Sequence, residues 1–292
     1  AANPLVAELG SKEKAHLRLN LSQAFNSLGT TVGPWLGSHL LLTGGVFATG
    51  AAATLADRTE SQRSIGLAFA GVGVSFALAG ALVLSARRRI DAAAALPRAE
   101  ASLRLAPRSP WALFGALAIF LYVGSEVTIG SMLTNFLGSE RVLAISLEEA
   151  GKMVPLYWGG AMIGRFLGSA LLTRVPAAWL LAVSTVSAAA LSAVVTQTSG
   201  ATAGYAALSV GLFNSTMFPT IFTLTLERST APTSATSGLL VFSIIGGALM
   251  PQAAGAIADR AGDLGRAFFV PLGGYALLTI FALACALRGP RR

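Results

Sequence analysis

The residue with most chemistry to offer is Glu126, in the run WALFGALAIFLYVGSEVTIGSMLTNFLG, the only carboxylate deep inside one of the chain's long apolar stretches. An acid in hydrocarbon is expensive to ionise and needs a partner, so its default reading is functional: a group that binds and releases a proton. The competing reading is a protonated Glu making one interhelical hydrogen bond. Neutral amides come next. Gln23 and Asn26 stand with Thr30 at i, i+3, i+7 in LSQAFNSLGTTVGPWLG, and Asn135, Asn214 and Gln252 occur in later stretches. The first three share one helix face. Amides both donate to and accept from sugar hydroxyls, and Trp158, Tyr122 and Phe218 offer ring faces for stacking. Any one amide also serves as interhelical glue, worth about 1 kcal/mol per bond. As a set they imply a polar cavity.

Arg165 lies in GGAMIGRFLGSALLTR, with Gly159, Gly160, Gly164 and Gly168 on a small-residue face. Two readings are open for it. It snorkels to water, or it pairs with an acid at a neighbouring helix end, Glu227 being the obvious candidate for a latch on one conformational state. Other chemistries lack their residues. There is no phosphate-binding glycine loop, no HExxH and no GxSxG, so no enzyme is expected. The two histidines, His16 and His39, are too few for a metal cluster, and Cys285 in its apolar run forms no disulfide framework. No cofactor is implied.

These residues need a membrane to be embedded in. The chain is 54% hydrophobic and 12% charged, with a mean hydropathy of +0.67, whereas soluble domains carry about 25% charged residues. Eight apolar spans are read, roughly Leu19–Leu42, Ile65–Leu84, Trp111–Leu137, Met153–Leu172, Ala177–Val195, Ala203–Leu226, Gly238–Ala258 and Ala267–Leu287. Each is long enough for a membrane helix, since about 20 residues at 1.5 Å rise cross the hydrocarbon. None shows the alternation of a membrane barrel. The net charge of +8 is not a nucleic-acid footprint, because the arginines lie between spans rather than on one basic face. All but Arg58, Arg63, Arg141, Lys152, Arg260 and Arg266 of the 21 Lys and Arg fall on one side of the alternating topology. That side is expected to be the cytoplasm, with the C-terminus inside.

The first span carries a double small-xxx-small ladder, Gly29, Gly33 and Gly37, which lets another helix approach closely, and Pro34 should kink it. Residues 86–110, with six arginines and three prolines, read as a cytoplasmic linker. It joins the helices of residues 1–85 to a six-span unit at 111–292. Within that unit LYVGSEVTIGSMLTNF and SVGLFNSTMFPTIF each open a set of three spans, with Glu126 and Asn214 near mid-depth. Pro219 and Pro251 are expected to interrupt their helices. Paired interrupted spans in inverted halves point to a transporter site.

The segments RLNLSQAFNSLGTTVGPWLG, YVGSEVTIGSMLTNFL, YWGGAMIGRFLGS, GLFNSTMFPTIFTLTL and SGLLVFSIIGGALMPQAAGAIAD resemble, in that order, the fucose/glucose/galactose symporter family of the major facilitator superfamily. The resemblance implies an all-α membrane bundle of twelve helices in two halves, of which these eight spans are the fifth through twelfth. The opening AANP, without an initiator Met, then falls at the end of the fourth helix, as in a fragment or processed chain. The first three helices and most of the fourth are absent, together with the acids that the family uses for proton coupling. The implied function is proton-coupled import of a monosaccharide across a bacterial inner membrane by a monomer, with sodium left open as coupling ion. Gln23, Asn26, Glu126, Asn135 and Asn214 would line the sugar cavity, and Glu126 is the coupling candidate in this chain. Efflux of apolar compounds by the same superfamily and a non-transporting fragment are the alternatives.

Overall fold

The computed structural model describes residues 54–88 and 103–288, together with 22, 28–29, 31–33 and 35–37 of the first span. The described residues are mostly helical, with no strand among them. Helix α1 (Leu55–Ser85) opens on a capping box between Thr54 and Asp57. It therefore starts ten residues before the expected Ile65 and takes Asp57, Arg58, Glu60 and Arg63 into its first turns rather than leaving them in a loop. None of its residues is buried.

A 3-10 helix, Leu103–Arg108, ends the segment expected to be all linker. The six-span unit follows: α2 (Pro110–Gly138), α3 (Leu147–Leu171), α4 (Ala177–Gln197), α5 (Gly200–Asn214), α6 (Met217–Arg228), α7 (Thr233–Phe242), α8 (Gly246–Ala261) and α9 (Phe269–Leu287). Local chemistry explains the starts and stops. Ser109 caps α2 with Pro110 at its first position, where the missing N–H costs nothing. Ser146 and Glu149 form a reciprocal capping box on α3, so α3 absorbs Glu148 and Lys152 ahead of the expected Met153. Gly262, at φ 63°, ends α8 in the left-handed region that glycine adopts freely.

Two spans are not continuous. The sixth breaks at Ser215–Thr216 into α5 and α6, and the seventh passes through a 3-10 turn, Ser243–Ile245, between α7 and α8. Pro219 sits in the first turn of α6, four residues after the break, whereas Pro251 lies inside α8, which runs through it. The expectation that Pro251 interrupts its helix is corrected: the turn lies six residues upstream.

Small residues set the packing. A Cβ at Gly211 would overlap the carbonyl of Tyr157, and one at Gly246 would overlap the carbonyl of Phe120. Gly160, Gly164 and Gly168 of α3 meet Leu212, Ser215 and Thr216 in rising order, so α3 and the α5–α6 span run parallel in close contact, as small-xxx-small faces allow. The partner expected for Gly29, Gly33 and Gly37 is not among the described residues, although Thr31 beside them lies against Gly159, 3.8 Å from the position of a Cβ there. Gly211→Ala should therefore lower thermal stability in detergent by about 1–3 kcal/mol, since backbone must move. Gly255→Ala and Gly273→Ala, with open space around both positions, should leave the melting temperature unchanged.

Candidate functional site

The site is built from the middle of α2. Tyr122 and Glu126 are four residues apart and therefore stacked on one face. The Tyr122 hydroxyl lies 2.7 Å from Glu126 Oε1 and 3.1 Å from the backbone carbonyl of Asn214. Asn214 ends α5, and its Nδ2 donates to the hydroxyl of Tyr157 on α3 at 2.7 Å. Tyr157 in turn reaches the backbone carbonyl of Glu126 at a long 3.5 Å. Tyr275 on α9 is fully buried beside Glu126 and Asn214. One carboxylate, one amide and three phenols thus meet where α2, α3, α5 and α9 converge.

The break behind this cluster creates its own demand. Pro219 has no N–H to return to Ser215, so the Ser215 carbonyl needs another donor. Arg165, 7% exposed, supplies it: Nε donates to Ser215 O at 3.0 Å. Gly164 allows this approach, because a Cβ there would overlap the Leu212 carbonyl and Ser215. The Arg165–Glu227 latch is corrected accordingly. Glu227 lies twelve residues beyond Ser215, about 18 Å along α6 at 1.5 Å per residue. It accepts from its neighbour Arg228 at 3.3 Å.

Other expected site residues divide. Glu126 is half-buried, and one turn along its face Gly130 leaves room for the Trp158 ring, which a Cβ would meet at 2.8 Å. Trp158 is half-exposed and stands edge-on to Tyr157 at 5.0 Å. Phe218 covers the Tyr122 ring at 6.3 Å, so the Tyr122 ring is core and its hydroxyl is the working part. Asn214, at 0% exposure, is corrected from a cavity-lining amide to a buried link between helices. Asn135 does not join the cluster. It lies nine residues from Glu126, half a turn round the helix, and is exposed away from the cluster. Gln252 is exposed, and its amide donates back to Ala248 O of its own helix. Gln23 and Asn26 lie outside the described residues. Tyr157 and Tyr275 were not singled out by the sequence, although a tyrosine in mid-span needs a partner for its hydroxyl.

Among the described residues no group of three His, Cys, Asp or Glu is arranged to hold a metal ion. What the arrangement can do is hold one ionisable carboxyl, in reach of water at one edge, against a hydrogen-bonded junction between helices.

The Arg165 geometry is testable by a double-mutant cycle. Arg165→Met in the native background should destabilise by about 1–3 kcal/mol, because it leaves a buried carbonyl without its donor. In a Pro219→Ala background the new N–H serves Ser215 O, so the same substitution should cost about 1 kcal/mol less. Thermal unfolding of the four proteins reads the coupling; equal losses in both backgrounds would separate Arg165 from the break.

Comparison with known proteins places the chain. Residues 1–239 match the family model of the Major Facilitator Superfamily. A glucose/galactose transporter of Brucella abortus is 40% identical over 283 residues, covering 97% of this chain and 66% of that protein. The L-fucose-proton symporter of Escherichia coli is 29% identical over 302 residues, covering 97% of this chain and 67% of that protein. A crystal structure of a variant of the E. coli fucose:proton symporter superposes with a TM-score of 0.76 at 26% identity, covering 98% of this chain and 72% of that one. This chain thus spans about two thirds of the length of the relatives it matches. These proteins are transporters, not enzymes. The chain is a multi-pass, all-α membrane protein and belongs to the major facilitator superfamily, in the group that holds bacterial glucose/galactose transporters and the L-fucose-proton symporter.

Proposed function

We propose that this chain is the C-terminal part of a proton-coupled monosaccharide importer of a bacterial inner membrane, working by alternating access as a monomer. The sugar is of glucose, galactose or fucose type, and the membrane helices of residues 1–85 and the six-span unit of 111–292 belong to opposite halves joined by a cytoplasmic linker. The observation that carries the reading is the 40% identity to a glucose/galactose transporter along 97% of the chain. The lone intramembrane acid supports it, because Glu126 sits half-buried with a ring at hand in Trp158, one turn away. A ring face for the apolar side of a sugar and a carboxyl that exchanges a proton are what a symport site requires. The excess of Lys and Arg on one set of loops supports a cytoplasmic C-terminus.

The proton acts by population shift: binding at one face favours the state that presents the sugar site there, and release at the other face resets it. Alternating access then moves the two halves about a midplane site. The apolar-efflux alternative would use the same carboxyl for proton exchange, and the 40% identity to a glucose/galactose transporter favours the sugar.

Labelled glucose, galactose and fucose uptake by the full-length gene product in liposomes tests the reading. Saturable uptake that rises with an inward proton gradient is the expected result. Absence of saturable uptake for every hexose removes the sugar, and dependence on a sodium gradient instead removes the proton. Glu126→Gln should abolish gradient-driven accumulation while leaving sugar exchange at equal pH measurable. Gln23→Ala and Asn26→Ala should each weaken uptake roughly tenfold, the scale of losing one or two hydrogen bonds. Wild-type kinetics in both would make these amides interhelical glue.

A further inference from the structure

The Tyr122 hydroxyl has one hydrogen and two close oxygen neighbours, Glu126 Oε1 at 2.7 Å and the Asn214 carbonyl at 3.1 Å. Both separations are hydrogen-bond distances. A carbonyl only accepts, and an ionised carboxylate only accepts. With Glu126 ionised, one hydrogen must therefore serve two acceptors. With Glu126 protonated, both contacts are satisfied: the Glu126 O–H donates to the Tyr122 oxygen, and the Tyr122 O–H donates to the Asn214 carbonyl. We propose that Glu126 holds a proton in this conformation and that Tyr122 is the positioning residue that transmits the state of that proton to the α5–α6 break.

Among the described residues, those facing Glu126 are Tyr122 on its own helix, Tyr157 and Arg165 on α3, Asn214 at the end of α5, and Tyr275 on α9. From α6 the ring of Phe218 lies against Tyr122. The Asn214 amide donates to Tyr157 rather than to the carboxyl. Arg165 is the one cation among these described groups; it keeps its charge, and its Nε donates to Ser215 O. When Glu126 releases its proton to water, the carboxylate draws the Tyr122 hydrogen to itself. The Asn214 carbonyl then faces an oxygen lone pair instead of a donor. The neighbouring Ser215 carbonyl already depends on Arg165, so deprotonation removes one of two side-chain donors that hold the junction. In an apolar interior a carbonyl without a donor is costly, and α2 loses a tie to the break.

This deepens the symport reading and rests on Glu126 being its coupling group, but its test needs neither sugar nor gradient. Infrared spectra of the full-length protein in lipid near pH 7 should contain a carboxylic-acid C=O band that disappears in Glu126→Gln. In Tyr122→Phe the band should persist and shift, because the acid has lost its acceptor. Hydrogen exchange should be about fivefold faster for the amides flanking the junction in Tyr122→Phe, the scale of one lost bond. Glu126→Gln, whose amide still donates to Tyr122, should exchange like the native protein. Loss of carboxylate bands instead of an acid band in Glu126→Gln overturns the proton assignment. An unshifted acid band in Tyr122→Phe, or native-like junction exchange there, overturns the role of Tyr122. Failed uptake with these spectra intact would count against the sugar importer alone.

Discussion

The constraint on which the six-span unit depends is a break in a helix buried in apolar surroundings. Where the chain leaves α5 at Asn214 and re-enters helix at Met217, backbone carbonyls lose their regular donors. Membranes tolerate irregular backbone only where protein satisfies it. The solution comes from two other helices. Tyr122 of α2 meets the Asn214 carbonyl, and Arg165 of α3 meets the Ser215 carbonyl. A buried arginine and a buried tyrosine are expensive residues in such a place, and the break is what justifies both. The same break puts the Asn214 side chain against Tyr157, so the discontinuity also organises the polar cluster around Glu126.

Close helix approach is the precondition. The Tyr157 carbonyl lies where a Cβ of Gly211 would be, and the Leu212 carbonyl and Ser215 crowd Gly164. With any larger residue at these positions the two helices would separate, and the Arg165 side chain would have to span a wider gap to reach Ser215. Glycine here trades conformational entropy for distance, and the gain is short, aligned hydrogen bonds. Alanine at Gly164 or Gly211 therefore acts on the polar site by displacing its neighbours, the Leu212 carbonyl and Ser215 in one case and the Tyr157 carbonyl in the other, without removing a polar group.

Much of this was legible in the residues. The apolar runs of α2, α4 and α9 give their own positions by length, and Glu126 stands out because no other carboxylate lies so deep in one of them. An interruption was legible at Pro219, but its place was not, because the missing N–H of Pro219 displaces the disturbance four residues upstream, to Ser215. Nor was the role of Arg165. Charge rules suggest an acid as its partner, whereas the structure gives it a backbone carbonyl, which leaves no mark in a charge pattern. Asn135 stands apart from the cluster for a geometric reason: nine residues is a half-turn offset, so a polar residue on the same helix as Glu126 can still face away from it. Tyr157 and Tyr275 were passed over because tyrosine in a span reads as bulk until its hydroxyl is seen to meet an amide.

The ends of the unit show where change of state can occur. At one end Arg141 pairs with Asp263 and donates to Thr198 O at 3.2 Å, while Gly200 N donates to Arg141 O at 2.9 Å. One residue thereby ties together the α2–α3, α4–α5 and α8–α9 connections. At the other end Arg228 donates to Cys285 O at 2.9 Å and lies over the Trp111 ring at 5.7 Å, fastening α6 to α9 and α2. Exposed ion pairs alone contribute little, but these arginines also hold backbone carbonyls of separate elements, and Arg228 is buried. Helices fastened at both ends resist sliding past one another. The first span meets the unit at its edge, where Thr31 lies against Gly159. Inside the unit the place left free to respond is the α5–α6 junction, because its carbonyls are held by side chains rather than by helix backbone. Its two donors come from the helix that carries the only deep acid and from the helix that faces the first span, so a proton at Glu126 and a movement at that boundary act on the same few atoms.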